Sequence, residues 1–171
     1  MCDRSGRGGI LGVGYVVFAQ ADSGQLDLAK VLKNARSFFQ ASVEVLDEEL
    51  LPPGFSPPEG SRVRLELSSE RHGWRARFAI ASRPANHDDH EHANAAEAAS
   101  RASGMALLAE RCRFVWEIEP EGDELERATL TLCGVLASVG LGPVMPADHS
   151  TLFGVRGAME RIDALEKGAY R

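Results

Sequence analysis

Arg62-Val63-Arg64-Leu65-Glu66-Leu67 and, beyond a turn at His72-Gly73, Trp74-Arg75-Ala76-Arg77-Phe78-Ala79-Ile80 decide how this chain folds. Successive side chains of a strand point to opposite faces. Val63, Leu65 and Leu67 therefore form one row, and Arg62, Arg64 and Glu66 the other. Trp74, Ala76, Phe78 and Ile80 oppose Arg75 and Arg77 in the same way. Two alternating runs joined by a glycine-bearing turn predict a β-hairpin with one dry face and one wet face.

Other segments read outward from that hairpin. Cys112, Phe114, Trp116 and Ile118 alternate with Arg113, Glu117 and Glu119, a further half-exposed strand, and Val43-Glu44-Val45 is a shorter one. Ile10 to Ala19 is apolar on both alternating sets, which predicts a strand buried on both faces. Its Gly12 and Gly14 would admit a close neighbour. Leu28, Val31, Leu32, Ala35, Phe38 and Phe39 recur at helical spacing behind a cap at Ser23 or Asp27. An alanine-rich helix is expected from about Asp88 to Arg111. Asp123-x-x-Glu126 has capping-box spacing ahead of Leu125, Ala128, Leu132, Leu136 and Val139, a run that stops at Gly140. A strand around Thr151 to Arg156 and a helix holding Met159, Ile162 and Leu165 complete the chain.

The order β-α-β-β-β-α-β-α-β-α, with strands polar on one face, predicts an α+β fold. It is a single antiparallel or mixed sheet with helices packed mainly on one face. A doubly wound parallel sheet fits poorly, because its strands would be apolar on both faces. Residues 1–9 are polar and glycine-rich and are expected to be flexible; 10–171 form one domain, ordinary for a chain of 171 residues. Residues 47–60 hold half of the eight prolines and predict a long loop packed partly on the body.

Composition narrows the function. A net charge of −6 argues against general nucleic-acid binding, which needs concentrated Lys and Arg. No apolar run approaches a bilayer span, and the first residues carry no apolar signal segment. Cys2, Cys112 and Cys133 are odd in number and widely spaced, so neither a disulfide framework nor a zinc knuckle is expected. These features predict a reduced, cytoplasmic protein.

Chemistry-bearing residues crowd together in one place, His87-Asp88-Asp89-His90-Glu91-His92. Imidazole and carboxylate together suit a divalent transition metal, with His87, His90, His92 and Asp88 as candidate ligands. On a helix His87, His90 and Glu91 share a face and His92 turns away. A closed site would need a distant ligand, and only His149 and His72 remain. The alternative is a helix start, in which Asn86 or Asp88 caps and the acids complement the helix dipole.

A second candidate is the outward row Arg62, Arg64, Arg75 and Arg77, four guanidinium forks on one surface that could grip an anionic partner. If the 112–119 or 43–46 strand lies alongside, Glu117, Glu119 and Glu44 become cross-strand partners, and the face becomes a solvated ion-pair ladder. Outward aromatics for base stacking are missing, so a protein partner is expected over nucleic acid. Gly12-x-Gly14 lacks the third glycine of a dinucleotide loop, and no phosphate loop or nucleophile elbow occurs. Gly154-Val155-Arg156-Gly157 enters a helix and could meet an anion, though a plain turn explains it.

The expectation is a non-catalytic protein-binding domain, of the regulatory-adaptor or immunity-protein kind in size and charge, that uses the arginine face. No cofactor and no membrane contact are expected, and the half-exposed sheet could pair two copies. The alternative is a metal-binding protein or metal-dependent enzyme centred on the histidine cluster.

Overall fold

The structure, a computed structural model, describes residues 14–21, 25–46, 62–100, 102–123 and 125–168. In chain order the elements are β1 (Val16–Ala19), α1 (Leu28–Phe39), β2 (Ser42–Val45), β3 (Arg62–Ser69), β4 (Trp74–Pro84), α2 (His87–Ala99), α3 (Met105–Glu110), β5 (Phe114–Glu121), α4 (Glu126–Gly140), β6 (Val144–Met145) and α5 (Val155–Gly168). The expected flexible N-terminus, the start of the first strand with Gly12, and the proline loop lie outside the described residues. No helix among the described residues is long and apolar enough to cross a membrane.

The fold is α+β: among the described residues six strands run in the order β2-β3-β4-β5-β1-β6, with every neighbouring pair antiparallel. The alternation of the hairpin sets the register. Val63, Leu65 and Leu67 pair with Ile80, Phe78 and Ala76, and Ile80 pairs onward with Ile118. These side chains make the first face of the sheet, and α1, α4 and α5 cover it. α4 lies in the middle of that layer, against both α1 and α5, and every residue from Ala128 to Ala137 is buried. A helix apolar all round has to be enclosed, which explains its central place.

β1 behaves as its two-sided apolar pattern requires. Val17 and Ala19 join the first-face core, whereas Val16 and Phe18 face the other way, and all four are buried. A Cβ on Gly14 would collide with the Ile118 carbonyl oxygen, so the glycine is there for a close backbone approach. The second face needs cover only where it is apolar, around Val16, Phe18, Val115 and Met145. α2 and α3 supply that cover through Ala93, Ala96, Ala106 and Ala109. Helices thus lie mainly on one face, with two over part of the other.

Three local expectations are corrected. The single helix expected from about Asp88 to Arg111 is two, broken between Ser100, which leaves helical geometry with its hydroxyl bonded to the Ala96 carbonyl, and Gly104 at φ +85°. Asp123 does not open α4: the helix starts at Glu126 behind Leu125, with no side-chain cap among the described residues. The strand expected from Thr151 to Arg156 is one bridge between Phe153 and Val144, because α5 already begins at Val155. Val144–Met145, too short to show a period, is the strand instead.

Ala93 is fully buried, so enlarging it forces α2 off the sheet. Ala93→Leu is expected to lower the unfolding free energy in urea melts by about 1–3 kcal/mol. Ala95→Leu, on the exposed side of the same helix, is expected to change it by less than about 0.5 kcal/mol. Equal losses for both would overturn this packing of α2.

Candidate functional site

The arginine row lies on the second face, over the half that α2 and α3 leave open. Register decides what each guanidinium meets. Arg64 stands opposite Ala79, and Ala79 opposite Glu119; Arg62, Ala81 and Glu117 form the next row. The β3 arginines reach diagonally across the small β4 residues to β5. Arg64 donates from Nε and Nη2 to the two Glu121 carboxylate oxygens at 2.7 and 2.8 Å, and Arg62 pairs with Glu119. Ala79 is only 4% exposed although it belongs to neither apolar cluster, and the bridges passing over it account for that cover. Arg77 and Arg75 converge on Glu66, at 2.9 and 3.4 Å. The bond from Arg64 holds the Glu121 carboxyl below the usual carboxylate range. Each of the four candidate arginines therefore has a carboxylate partner within the chain, the ladder arrangement.

At the edge of the open half, Arg83 binds Asp89 through Nη1 and Nη2 at 2.6 and 2.8 Å, and Glu117 through Nε at 2.6 Å. Asp89, with its side chain 8% exposed, also accepts from the Asn86 backbone N–H at 2.8 Å, while its own N–H donates to Asn86 Oδ1. This is a capping box at the start of α2. Burial works to raise the Asp89 pKa, but the bonds from Arg83 and Asn86 outweigh it and hold the carboxyl low.

The candidate metal ligands diverge from that helix start. His87 is exposed and pairs with Glu91 at 3.1 Å, the shared face that helical spacing predicts. Asp88 is exposed on the first turn. His90 turns inward against the Phe18 ring at 6.3 Å, and its Nε2 is buried with no hydrogen-bond partner among the described residues. His92 lies on a third side and meets His149, their rings stacked 4.2 Å apart at 27°. The distant ligand that the sequence offered does come in, yet it joins one cluster histidine only. No group of three or more metal-competent side chains forms among the described residues.

His149 opens the part of the chain where several features coincide. It holds φ +54°, a left-handed conformation costing a non-glycine residue about 1 kcal/mol or more. Its imidazole pKa is lowered, chiefly by burial and next by the His92 charge, against the opposing pull of Asp148 and Asp89. Two clefts flank the segment that follows. One, of about 660 Å³, runs between the α3 side (Ser103, Met105) and residues 151–157; the other, of about 590 Å³, includes Tyr15, Glu126 and Asp148. Thr151 and Arg161 belong to both walls. The guanidinium carbon of Arg161 lies over the Phe153 ring, 4.0 Å from its centre, and Nη1 donates to the Gly157 carbonyl at 3.1 Å. Neither Arg161 nor the Arg83–Asp89 joint has a periodic signature. Asn86-x-x-Asp89 spacing was the one legible hint.

The two described cysteines, Cys112 and Cys133, are both buried. Burial pushes the Cys112 thiol up to about 11 and raises that of Cys133 further. His149 stacks on His92, and the Ser150 N–H donates to Asp148 Oδ1 at 3.0 Å. No family model matches the chain, and comparison with curated proteins and with solved structures finds no match.

Because the Asp89 pKa is held down in the folded state, the stability it contributes is present above the unfolded carboxylate value of about 3.9 and fades as pH falls through the lower folded value. Asp89→Asn is expected to cost roughly 1–3 kcal/mol in urea melts at neutral pH. The gap to wild type should shrink as the medium is made acidic through the carboxylate range. A pH-independent gap would show that charge at Asp89 does not hold the joint.

Proposed function

We propose that this chain is a binding domain for a protein partner, and that a segment of the partner lies in the cleft between α3 and residues 151–157. The cleft itself carries the reading. Its volume of about 660 Å³ is in the range of pockets that hold ligands. Val155 and Met105 give it half-buried apolar walls over the buried Leu152 and Phe153, and the exposed Ser103 adds a hydroxyl, whereas that of Thr151 already donates to the Leu152 carbonyl. One bank is adaptable: α3 is a single six-residue helix behind the positive-φ Gly104, and Met105 fills irregular shapes readily. The arginine face is the weaker candidate. There Arg62, Arg64, Arg75, Arg77 and Arg83 meet Glu66, Glu117, Glu119, Glu121 and Asp89, so little charge is left for a partner. Two buried, unpaired thiols accord with a reducing compartment, and we place the protein in the cytoplasm on that ground.

A selection from a random peptide library on the full chain tests the cleft. Enriched peptides are expected to lose at least tenfold in affinity to Ser103→Trp, which fills the cleft from an exposed turn, and to be indifferent to Arg75→Glu with Arg77→Glu. The reverse pattern would move recognition to the arginine face, and no enrichment would sink the cleft reading.

A divalent-metal reading has one observation in its favour, the arrival of His149 at His92. It predicts that zinc or nickel raises the melting temperature of the wild type and not of His149→Ala. Unchanged melting would retire it.

A further inference from the structure

We infer that α2 is a hinged cover: its C-terminal half, residues 94–99, lifts from the body of the fold while its first turn stays fastened to β4 through Asp89. The hinge stands whether or not a partner uses the cleft beside residues 151–157.

The contacts that fasten α2 to the rest of the fold sit at its N-terminal end. Asp89 takes two nitrogens of Arg83 and the Asn86 N–H, His90 lies against the Phe18 ring at 6.3 Å, and His92 stacks on His149 at 4.2 Å. Beyond Ala93 the pattern changes. Asn94, Ala95, Ala98 and Ala99 are exposed, and Ala96 is the one buried residue of 94–99. No ion pair or ring contact joins 94–99 to another element among the described residues. The helix end closes on itself instead, with Ser100 Oγ donating to the Ala96 carbonyl at 2.8 Å.

Glu97 works against the closed position. It follows His90 by two helical turns and lies on the same side of the helix. Its Oε1 is shut off from solvent with no hydrogen-bond partner among the described residues. A carboxyl oxygen so placed gains hydrogen bonds to water once the helix end lifts. Little opposes that gain, because the hydrophobic return scales with apolar area and Ala96 offers one methyl. α3, the principal neighbour of α2, has Ala106 and Ala109 as its buried side chains, which are equally short. His90 Nε2 is likewise buried and unpartnered among the described residues, but its ring keeps the Phe18 contact and Asp89 beside it holds the turn. Ala102, Ser103 and Met105 follow the lifting half and line the cleft at residues 151–157, so each opening displaces one bank of that cleft.

Amide hydrogen exchange on the full chain, resolved residue by residue by NMR, tests the hinge. The amides of residues 96–99 are expected to be protected about a hundredfold less than that of Ala93. Fraying of any helix end gives a gradient of the same sense, so the variants decide. Glu97→Met removes the buried oxygen while keeping side-chain length and helix preference, and is expected to raise protection at 96–99 by about tenfold. Ala98→Met, on the exposed side, is expected to leave it unchanged. Asp89→Asn loosens the fastened end, and is expected to lower protection at Ala93 by about tenfold while residues 96–99 keep their wild-type values. Equal protection of Ala93 and 96–99 in the wild type would overturn the hinge. So would indifference to Glu97→Met, which would leave simple fraying, or a response to Asp89→Asn at 96–99 in place of Ala93.

Discussion

Asp89 marks the line at which the second face of the sheet changes from open to covered. Its buried carboxylate meets Arg83 from β4 and the Asn86 N–H at the start of α2, and Arg83 reaches on to Glu117 of β5. One carboxylate thus ties a strand, a helix start and, through its partner, a second strand. A buried charge is costly unless each of its acceptor positions is filled, so the joint tolerates little displacement. The start of α2 is thereby held against β4 and β5.

On the open side of that line, charge replaces apolar cover. The β3 arginines bridge to β5 over Ala79 and Ala81, and a larger β4 residue at either place would stand in their path. Such exposed pairs contribute little stability each. Their effect is to keep a flat antiparallel face solvated and neutral. Arg161, outside the ladder, has no carboxylate partner among the described residues and is held by the Phe153 ring and the Gly157 carbonyl instead.

On the covered side, α2 and α3 meet the sheet through alanines, which bury little area per residue. The layer on the first face is different in kind, with α4 enclosed from Ala128 to Ala137. The enclosed helix layer thus lies on one face, and the alanine-bedded layer lies on the other, with Ser103 and Met105 lining the cleft at residues 151–157.

Periodicity alone made much of the architecture legible. Alternation in Arg62–Leu67, Trp74–Ile80 and Phe114–Ile118 specified half-exposed antiparallel strands, and the two-sided apolar run at Val16–Ala19 specified a strand covered on both faces, because a period of two is a local property of extended backbone. Local pattern failed where a break depended on few residues, as at Ser100–Gly104, or where an element was too short to have a period, as at Val144–Met145. The histidine cluster was visible in sequence, but a helix turns about 100° per residue, so His87, His90 and His92 parted to three surroundings. Which carboxylates would meet the arginines waited on strand order, and Arg161 acquired its setting only when α5, Phe153 and α3 came together. Strand faces and helix stripes are written in neighbouring residues; strand order, ion-pair partners and clefts come from long-range packing, which no local period encodes.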